Sequence, residues 1–117
     1  MISSIVGLQQ SRGPLGYSAA KSSVLSLVKN LSYDLAPFGI RINAIAPGNI
    51  YFKNGRWQEI LQKSPAVLKD YIEKEVPLKR FGKPEEVASA IVFLASPSSS
   101  FTTGSYLVVD GGETRGY

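Results

Sequence analysis

Two short stretches of the sequence are apolar at consecutive positions and too short to be helices. They are the end of Gly39-Ile40-Arg41-Ile42-Asn43-Ala44-Ile45-Ala46, rich in β-branched Ile, and Tyr106-Leu107-Val108-Val109. Successive side chains of a strand point to opposite faces, so a strand apolar at every position must be covered on both. Such strands belong to parallel sheets with a helical layer on each side. A third strand is expected over residues 1–6, Met-Ile-Ser-Ser-Ile-Val, giving strands near 1–6, 39–46 and 105–110. Between them the spacing predicts helices. Ala20, Val24, Val28, Leu31 and Leu35 recur at helical spacing over 17–36, and Pro37 and Gly39 close that run. Residues 55–75 read as helix with a break near Pro65. Residues 84–95 read as helix with Pro84 at the first position and Glu85 and Glu86 at the positive end of the dipole. Turn-rich residues 7–16 and the loop 77–83 connect these elements. The fold class is α/β, a doubly wound parallel sheet of about three strands with helices on both faces.

Composition narrows the chemistry. The 117 residues contain no Cys and no His, which excludes from them disulfides, Cys/His metal sites, and Ser-His-Asp, Cys-His or His acid/base systems. No apolar run is long enough to span a bilayer, and Met1 to Leu8 lacks the basic flank of a signal peptide. The cytoplasm is the expected compartment. Of 13 basic and 9 acidic residues, residues 53–86 hold 8 and 6, so the signs are mixed there. That pattern fits a solvated surface and not a one-signed nucleic-acid groove.

Tyr17 and Lys21 are four apart on one helix face. Such a pair alone commonly decorates a helix surface. Its surroundings are more telling. Ser4 lies at the C-terminal end of the first predicted strand and Pro47-Gly48 at the end of the second. In open α/β sheets the ligand crevice lies outside the strands' C-terminal ends, so these residues should converge at one mouth. Ser18-Ala19-Ala20-Lys21 also spells the Ser-x-x-Lys of penicillin-binding enzymes, but Ser-Asp-Asn is absent and residues 102–104 read Thr-Thr-Gly, not Lys-Thr-Gly.

Together these segments resemble the short-chain dehydrogenase/reductase family. Ile2-Ser3-Ser4-Ile5-Val6-Gly7 is similar to its catalytic-serine segment, thirteen positions before Tyr17-Ser18-Ala19-Ala20-Lys21, which is similar to its Tyr-x-x-x-Lys motif. Arg41 to Gly48, Pro77 to Val87 and Val109-Asp110-Gly111-Gly112 resemble, in order, its strand and Pro-Gly turn, its late loop and helix, and its last strand and turn. The resemblance implies an oxidoreductase moving hydride between NAD or NADP and a carbonyl or alcohol substrate. It implies Tyr17 as acid/base, Lys21 as its charge partner and ribose anchor, and Ser4 as donor to the substrate oxygen. It implies Pro47, Gly48 and the Ile50 backbone at the nicotinamide, with no metal.

Where many relatives carry Thr, four residues after the Gly, this chain has Phe52. The Gly-rich turn that seats the pyrophosphate does not occur, since Gly111, Gly112 and Gly116 follow the last predicted strand. The residue selecting NAD over NADP and the family's catalytic Asn are also absent. The expectation is therefore a partial dinucleotide-binding domain over 1–117, the C-terminal half of the fold. The alternative is an inactive fragment acting at most as an association module, through the small-residue stripe Ala19, Ser22, Ser23 and Ser26. A homo-oligomer is expected. Tyr51, Phe52, Trp57 and Tyr71 could line a substrate pocket or form core; the residue types fit both.

Overall fold

The computed structural model describes residues 1–10 and 13–115. Ser11 and Arg12, in the expected turn run, and Gly116 and Tyr117 lie outside the described residues. The elements are α1 (Leu15–Leu35), β1 (Ala44–Pro47), α2 (Arg56–Lys63), α3 (Pro65–Glu75), α4 (Pro84–Ala95) and β2 (Tyr106–Val109). The strands are parallel, with Ala44 opposite Tyr106 and Pro47 opposite Val109.

β1 is central and covered on both faces, as its apolar run requires: Ala44, Ile45 and Ala46 are all buried. Ile45 lines a cavity with Ile91 and Leu94 of α4. On the other face, shared by Ala44 and its register partner Tyr106, Val28 of α1 lines a cavity with Tyr106. The two helices thus sandwich the sheet.

The third expected strand is a correction. Only Ile2 pairs with Ile45, as a single parallel bridge in which the Ser3 amide donates to the Ile45 carbonyl at 2.8 Å and the Ile45 amide to the Met1 carbonyl at 2.9 Å. The chain then leaves the ladder because Ser4 caps a 3₁₀ turn over Ile5–Gly7, its Oγ accepting from the Val6 amide at 3.4 Å. Local backbone bonds, from the Gly7 amide to the Ser4 carbonyl at 3.0 Å and from the Leu8 amide to the Ile5 carbonyl at 2.9 Å, take the place of the ladder.

The second expected strand, over 39–46, is shorter than expected and starts only at Ala44, because Ile42 before it bonds to Thr103 Oγ1 and to the Gly104 amide in the loop ahead of β2 and not to a ladder. The helix boundaries follow the sequence signals. The break between α2 and α3 falls at Ser64, before Pro65. α1 ends two residues before Pro37 and passes through a 3₁₀ turn to Gly39 at φ 70°. At the start of α4 the Lys83 amide donates to Glu86 Oε2 at 2.8 Å and Arg80 grips both Glu86 oxygens at 2.8 and 2.7 Å. Those bonds, the Arg80 one foremost, hold the Glu86 carboxyl down at about 2.

Arg41 fastens the other end of α4. Its guanidinium donates to the carbonyls of Leu94, Ser96 and Thr102 and to Ser99 Oγ, all at 3.0–3.1 Å. A cation at a helix C-terminus also meets the negative end of the dipole. α1 is clamped to the first residues by three bonds: Ser3 Oγ to the Lys21 carbonyl at 2.7 Å, Lys21 Nζ to the Ile2 carbonyl at 3.0 Å, and Ser22 Oγ to the Gly7 carbonyl at 2.8 Å. Gly7 permits the approach, since a Cβ there would lie 2.7 Å from the Lys21 carbonyl carbon and 2.9 Å from the Ser22 amide nitrogen.

Residues 56–81 form a second apolar cluster, with Leu68, Val76 and Phe81 buried and Trp57, Ile60, Tyr71 and Ile72 packed against them. Much apolar surface stays outside. Val92 and Phe101 are 66% and 104% exposed. The radius of gyration is 15.6 Å, against roughly 13 Å for a compact domain of this length.

Arg41→Ala should cost about 2–3 kcal/mol, the loss of charge-assisted bonds to partly buried carbonyls, measured as a lowered urea midpoint. Gly7→Ala should cost about 1–3 kcal/mol, because the obstructing atoms are backbone and no rotamer relieves them. An unchanged midpoint for Gly7→Ala would show that the clamp is looser than the geometry requires.

Candidate active site

The C-terminal ends of the Ile2 segment and of β1 lie side by side. Ser4 Oγ donates to the Pro47 carbonyl at 3.5 Å. That bond and the 3.4 Å one from Val6 are at the long limit of hydrogen bonding, so the hydroxyl is loosely held and free to turn toward another acceptor. Tyr17, in the first turn of α1, is half exposed. Lys21 sits one turn on, its Nζ 5.5 Å from the centre of the Tyr17 ring, within cation–π range. Three of the sequence-derived residues thus gather around the 1–8 segment: Ser4 at its turn, and Tyr17 and Lys21 on the helix clamped to it. Among the described residues no hydrogen bond joins Tyr17 to Ser4.

Gly48 sits where the turns after β1 and β2 touch. Its amide donates to the Val109 carbonyl at 3.0 Å, and a Cβ there would lie 2.6 Å from Asp110 Cβ. Asp110 closes its own turn, accepting from the amides of Gly112 and Thr114 at 2.8 and 2.7 Å and from Thr114 Oγ1 at 2.5 Å. Burial alone would raise the Asp110 carboxyl, but those donors outweigh it and hold it below the usual range.

Ile50 is paired in parallel with Gly82. The Gly82 amide donates to the Asn49 carbonyl at 3.0 Å and the Tyr51 amide to the Gly82 carbonyl at 2.9 Å. In a parallel bridge of this kind the residue between the two bonds turns its own N–H and C=O away from the partner. The Ile50 peptide groups therefore face the other way.

Sequence reasoning did not find the cluster behind this turn. Asn49 Nδ2 donates to Glu113 Oε1 at 2.7 Å and to the Tyr71 oxygen at 2.9 Å, and the Tyr71 hydroxyl donates to the same Glu113 oxygen. Glu113 is 8% exposed. Burial, aided by the charges of Asp110 and Glu75, pushes its carboxyl up against hydrogen bonds that lower it. Burial and then Glu113 push the Tyr71 phenol up to about 12. The pairs are 22, 42 and 64 positions apart; no local pattern signals them.

The open question of the aromatics divides. Trp57 and Tyr71 are partly buried and pack against the core, with ring centres 4.6 and 6.1 Å from Phe81. Tyr51 and Phe52 remain exposed. Among the described residues no acidic cluster could hold a metal ion, and no helix is long and apolar enough to cross a membrane.

Comparison with known proteins places this arrangement. Residues 1–114 match the family model described as enoyl-(acyl carrier protein) reductase. The chain is 44% identical over 114 residues to isoepoxydon dehydrogenase patN of Aspergillus clavatus, covering 94% of this chain and 42% of that protein. It is 40% identical over 111 residues to the 3-oxoacyl-[acyl-carrier-protein] reductase FabG of Thermotoga maritima, covering 95% and 43%. Among solved structures, it superposes on an NADPH-bound short chain oxidoreductase of Pseudomonas aeruginosa PAO1 with a TM-score of 0.87 and 36% identity, over 99% of this chain and 45% of that one. It superposes on 4-hydroxyisoleucine dehydrogenase complexed with NADH with a TM-score of 0.88 and 31% identity, over 99% and 46%. The chain thus spans less than half the length of these relatives. With the family model matched over nearly all of its residues, the chain belongs to the short-chain dehydrogenase/reductase family.

Proposed function

We propose that this chain carries the proton-transfer half of an NAD(P)-dependent oxidoreductase acting on a small carbonyl or alcohol substrate. The observation that supports it most is the gathering of Ser4, Tyr17 and Lys21 around one clamped segment, beside the Pro47–Gly48 turn. The residues fit a nicotinamide nucleotide. An ammonium has three donors; Lys21 gives one to the Ile2 carbonyl, and the others can hold ribose hydroxyls. The outward peptide groups of Ile50 offer one donor and one acceptor, the complement of a carboxamide.

A bound nicotinamide would supply or accept the hydride. Tyr17 would give its phenolic proton to the carbonyl oxygen in reduction and take it back in oxidation. Lys21, over the Tyr17 ring, would stabilise the negative charge left on the phenol oxygen. Ser4 would swing its loosely held hydroxyl from Pro47 to the substrate oxygen and fix it near the phenol. Pro47 and Gly48 would seat the nicotinamide end, with Gly48 keeping the turn against Asp110. The cytoplasm stays the compartment we propose.

The 117 residues contain no Gly-rich turn able to seat a pyrophosphate. The polypeptide by itself is therefore expected to bind NADH or NADPH at best weakly and to turn nothing over, as calorimetric titration would show. Joined to a Gly-rich dinucleotide-binding half, it should gain both. In that joined protein Tyr17→Phe should lower kcat by roughly 10²–10⁴-fold, the worth of one general acid, while cofactor affinity is kept. Lys21→Ala should damage both. A Tyr17→Phe protein of unchanged rate would sink the mechanism.

A second reading, association without catalysis, draws on the exposed apolar residues of α4 and β2, among them Val92, Phe93, Tyr106 and Leu107. It expects a homo-oligomer in sedimentation equilibrium, and a single monomeric species would contradict it.

A further inference from the structure

Glu113 collects bonds from Asn49 in the turn after β1 and from Tyr71 on α3, which also bond each other at 2.9 Å, and both arrive on one oxygen. Its other oxygen, Oε2, is buried and without a partner among the described residues, and lies 3.2 Å from where a Gly48 Cβ would be. A buried carboxyl with a vacant oxygen is costly, and an apolar residue filling the same space would serve stability better. What the carboxyl does that an apolar residue would not is hold Asn49. The Asn49 side chain is tied to Glu113 and its carbonyl to the Gly82 amide, so both sides of the residue leading into Ile50 are fixed.

We propose that Glu113 is a positioning residue for the peptide groups of Ile50, acting through Asn49, and that it aims them at the nicotinamide carboxamide. The second clause rests on the oxidoreductase reading above; the first does not. Tyr71 sets the place of the carboxyl and thereby ties the turn to α3, so that the turn after β1, the turn after β2 and the 56–81 cluster move as one body. Removing the carboxyl should leave the Asn49 side chain only the Tyr71 oxygen, itself no longer placed by Glu113, and so loosen the Ile50–Gly82 pairing while leaving the sheet intact.

Amide hydrogen exchange on the 117-residue chain tests this residue by residue. In Glu113→Ala the Tyr51 and Gly82 amides should exchange about tenfold faster, the loss of one net hydrogen bond, while those of Ala44 and Gly48 keep their wild-type rates. Glu113→Gln retains an acceptor oxygen of the same reach, and should stay within about threefold of wild type by the same reasoning. Unchanged rates in Glu113→Ala overturn the proposal. So does equal acceleration at Ala44 and Gly48, which marks a general loss of stability. Should Glu113→Ala not fold, Asn49→Ala cuts the same link, together with the Asn49–Tyr71 bond, and keeps the carboxyl and its bond to Tyr71: acceleration confined to Tyr51 and Gly82 supports the proposal, and none overturns it. Nicotinamide mononucleotide, which has no pyrophosphate, then probes the aim. The Ile50 amide resonance should move on titration in the wild type and lose that response in Glu113→Ala, while the Lys21 response persists. An equal Ile50 response in both proteins overturns the aiming role. No response at Ile50 in the wild type overturns the nicotinamide reading of the turn, and the exchange rates still decide whether Glu113 holds the peptide.

Discussion

The arrangement hangs on the backbone of β1, which is bonded along both edges within four residues. Ile45 gives its amide and carbonyl to Met1 and Ser3 on one side, and its neighbours turn theirs to β2 on the other. Both faces are then closed by α1 and α4. A strand saturated this way has no freedom to shift register, because a slip by one residue would exchange the buried Ile45 for the small Ala44 and Ala46. The C-terminal end of β1 is therefore a fixed point, and Pro47, Gly48, Asn49 and Ile50 are placed from it.

Helix α1 is aligned to that point indirectly. Its buried Val28 lines a cavity with Tyr106 of β2, but its angle near Tyr17 is set by the Ser3–Lys21, Lys21–Ile2 and Ser22–Gly7 bonds. Lys21 participates twice, through its carbonyl and through its ammonium. The ammonium reaches the Ile2 carbonyl because the bridge with Ile45 turns that carbonyl outward. The residue that anchors the helix is also the one beside the Tyr17 ring, so the clamp and the candidate proton-transfer pair cannot move independently.

What could be read from sequence was what local chemistry decides. Residues 84–95 are helical as expected, because Pro84, Glu85 and Glu86 act within one turn. The α2–α3 break was visible at Pro65 for the same reason. The strand over 1–6 failed at Ser4, where the three-residue backbone bonds of a 3₁₀ turn compete with a ladder that depends on distant partners. Of the candidate site, the closeness of Tyr17 to Lys21 and of Ser4 to Pro47 was legible because one pair shares a helix turn and the other lies at the ends of neighbouring extended segments. Glu113, Tyr71 and Asn49 were not, since each is unremarkable in its own segment and only the fold brings them together. The packing of Trp57 and Tyr71 against Phe81 was undecidable for a related reason: an aromatic in a helix does not state which side its neighbours occupy.

The register between β1 and β2 carries a kinetic consequence. Ala44 and Tyr106 are 62 positions apart, and all of α2, α3 and α4 lies between them. A pairing that non-local must close a long loop before it returns any stability, so it forms slowly compared with the helices it encloses. Until then one edge of β1 and the faces of the flanking helices are open, and Ala44 to Ala46 offer their backbone to any extended segment nearby. Chain synthesis makes the interval longer, because β1 leaves the ribosome well before β2. The segment that later fixes the site is thus the one most exposed to mispairing on the way, and the three bonds that clamp α1 to residues 1–7, which need no residue beyond Ser22, are able to form first and cover part of it.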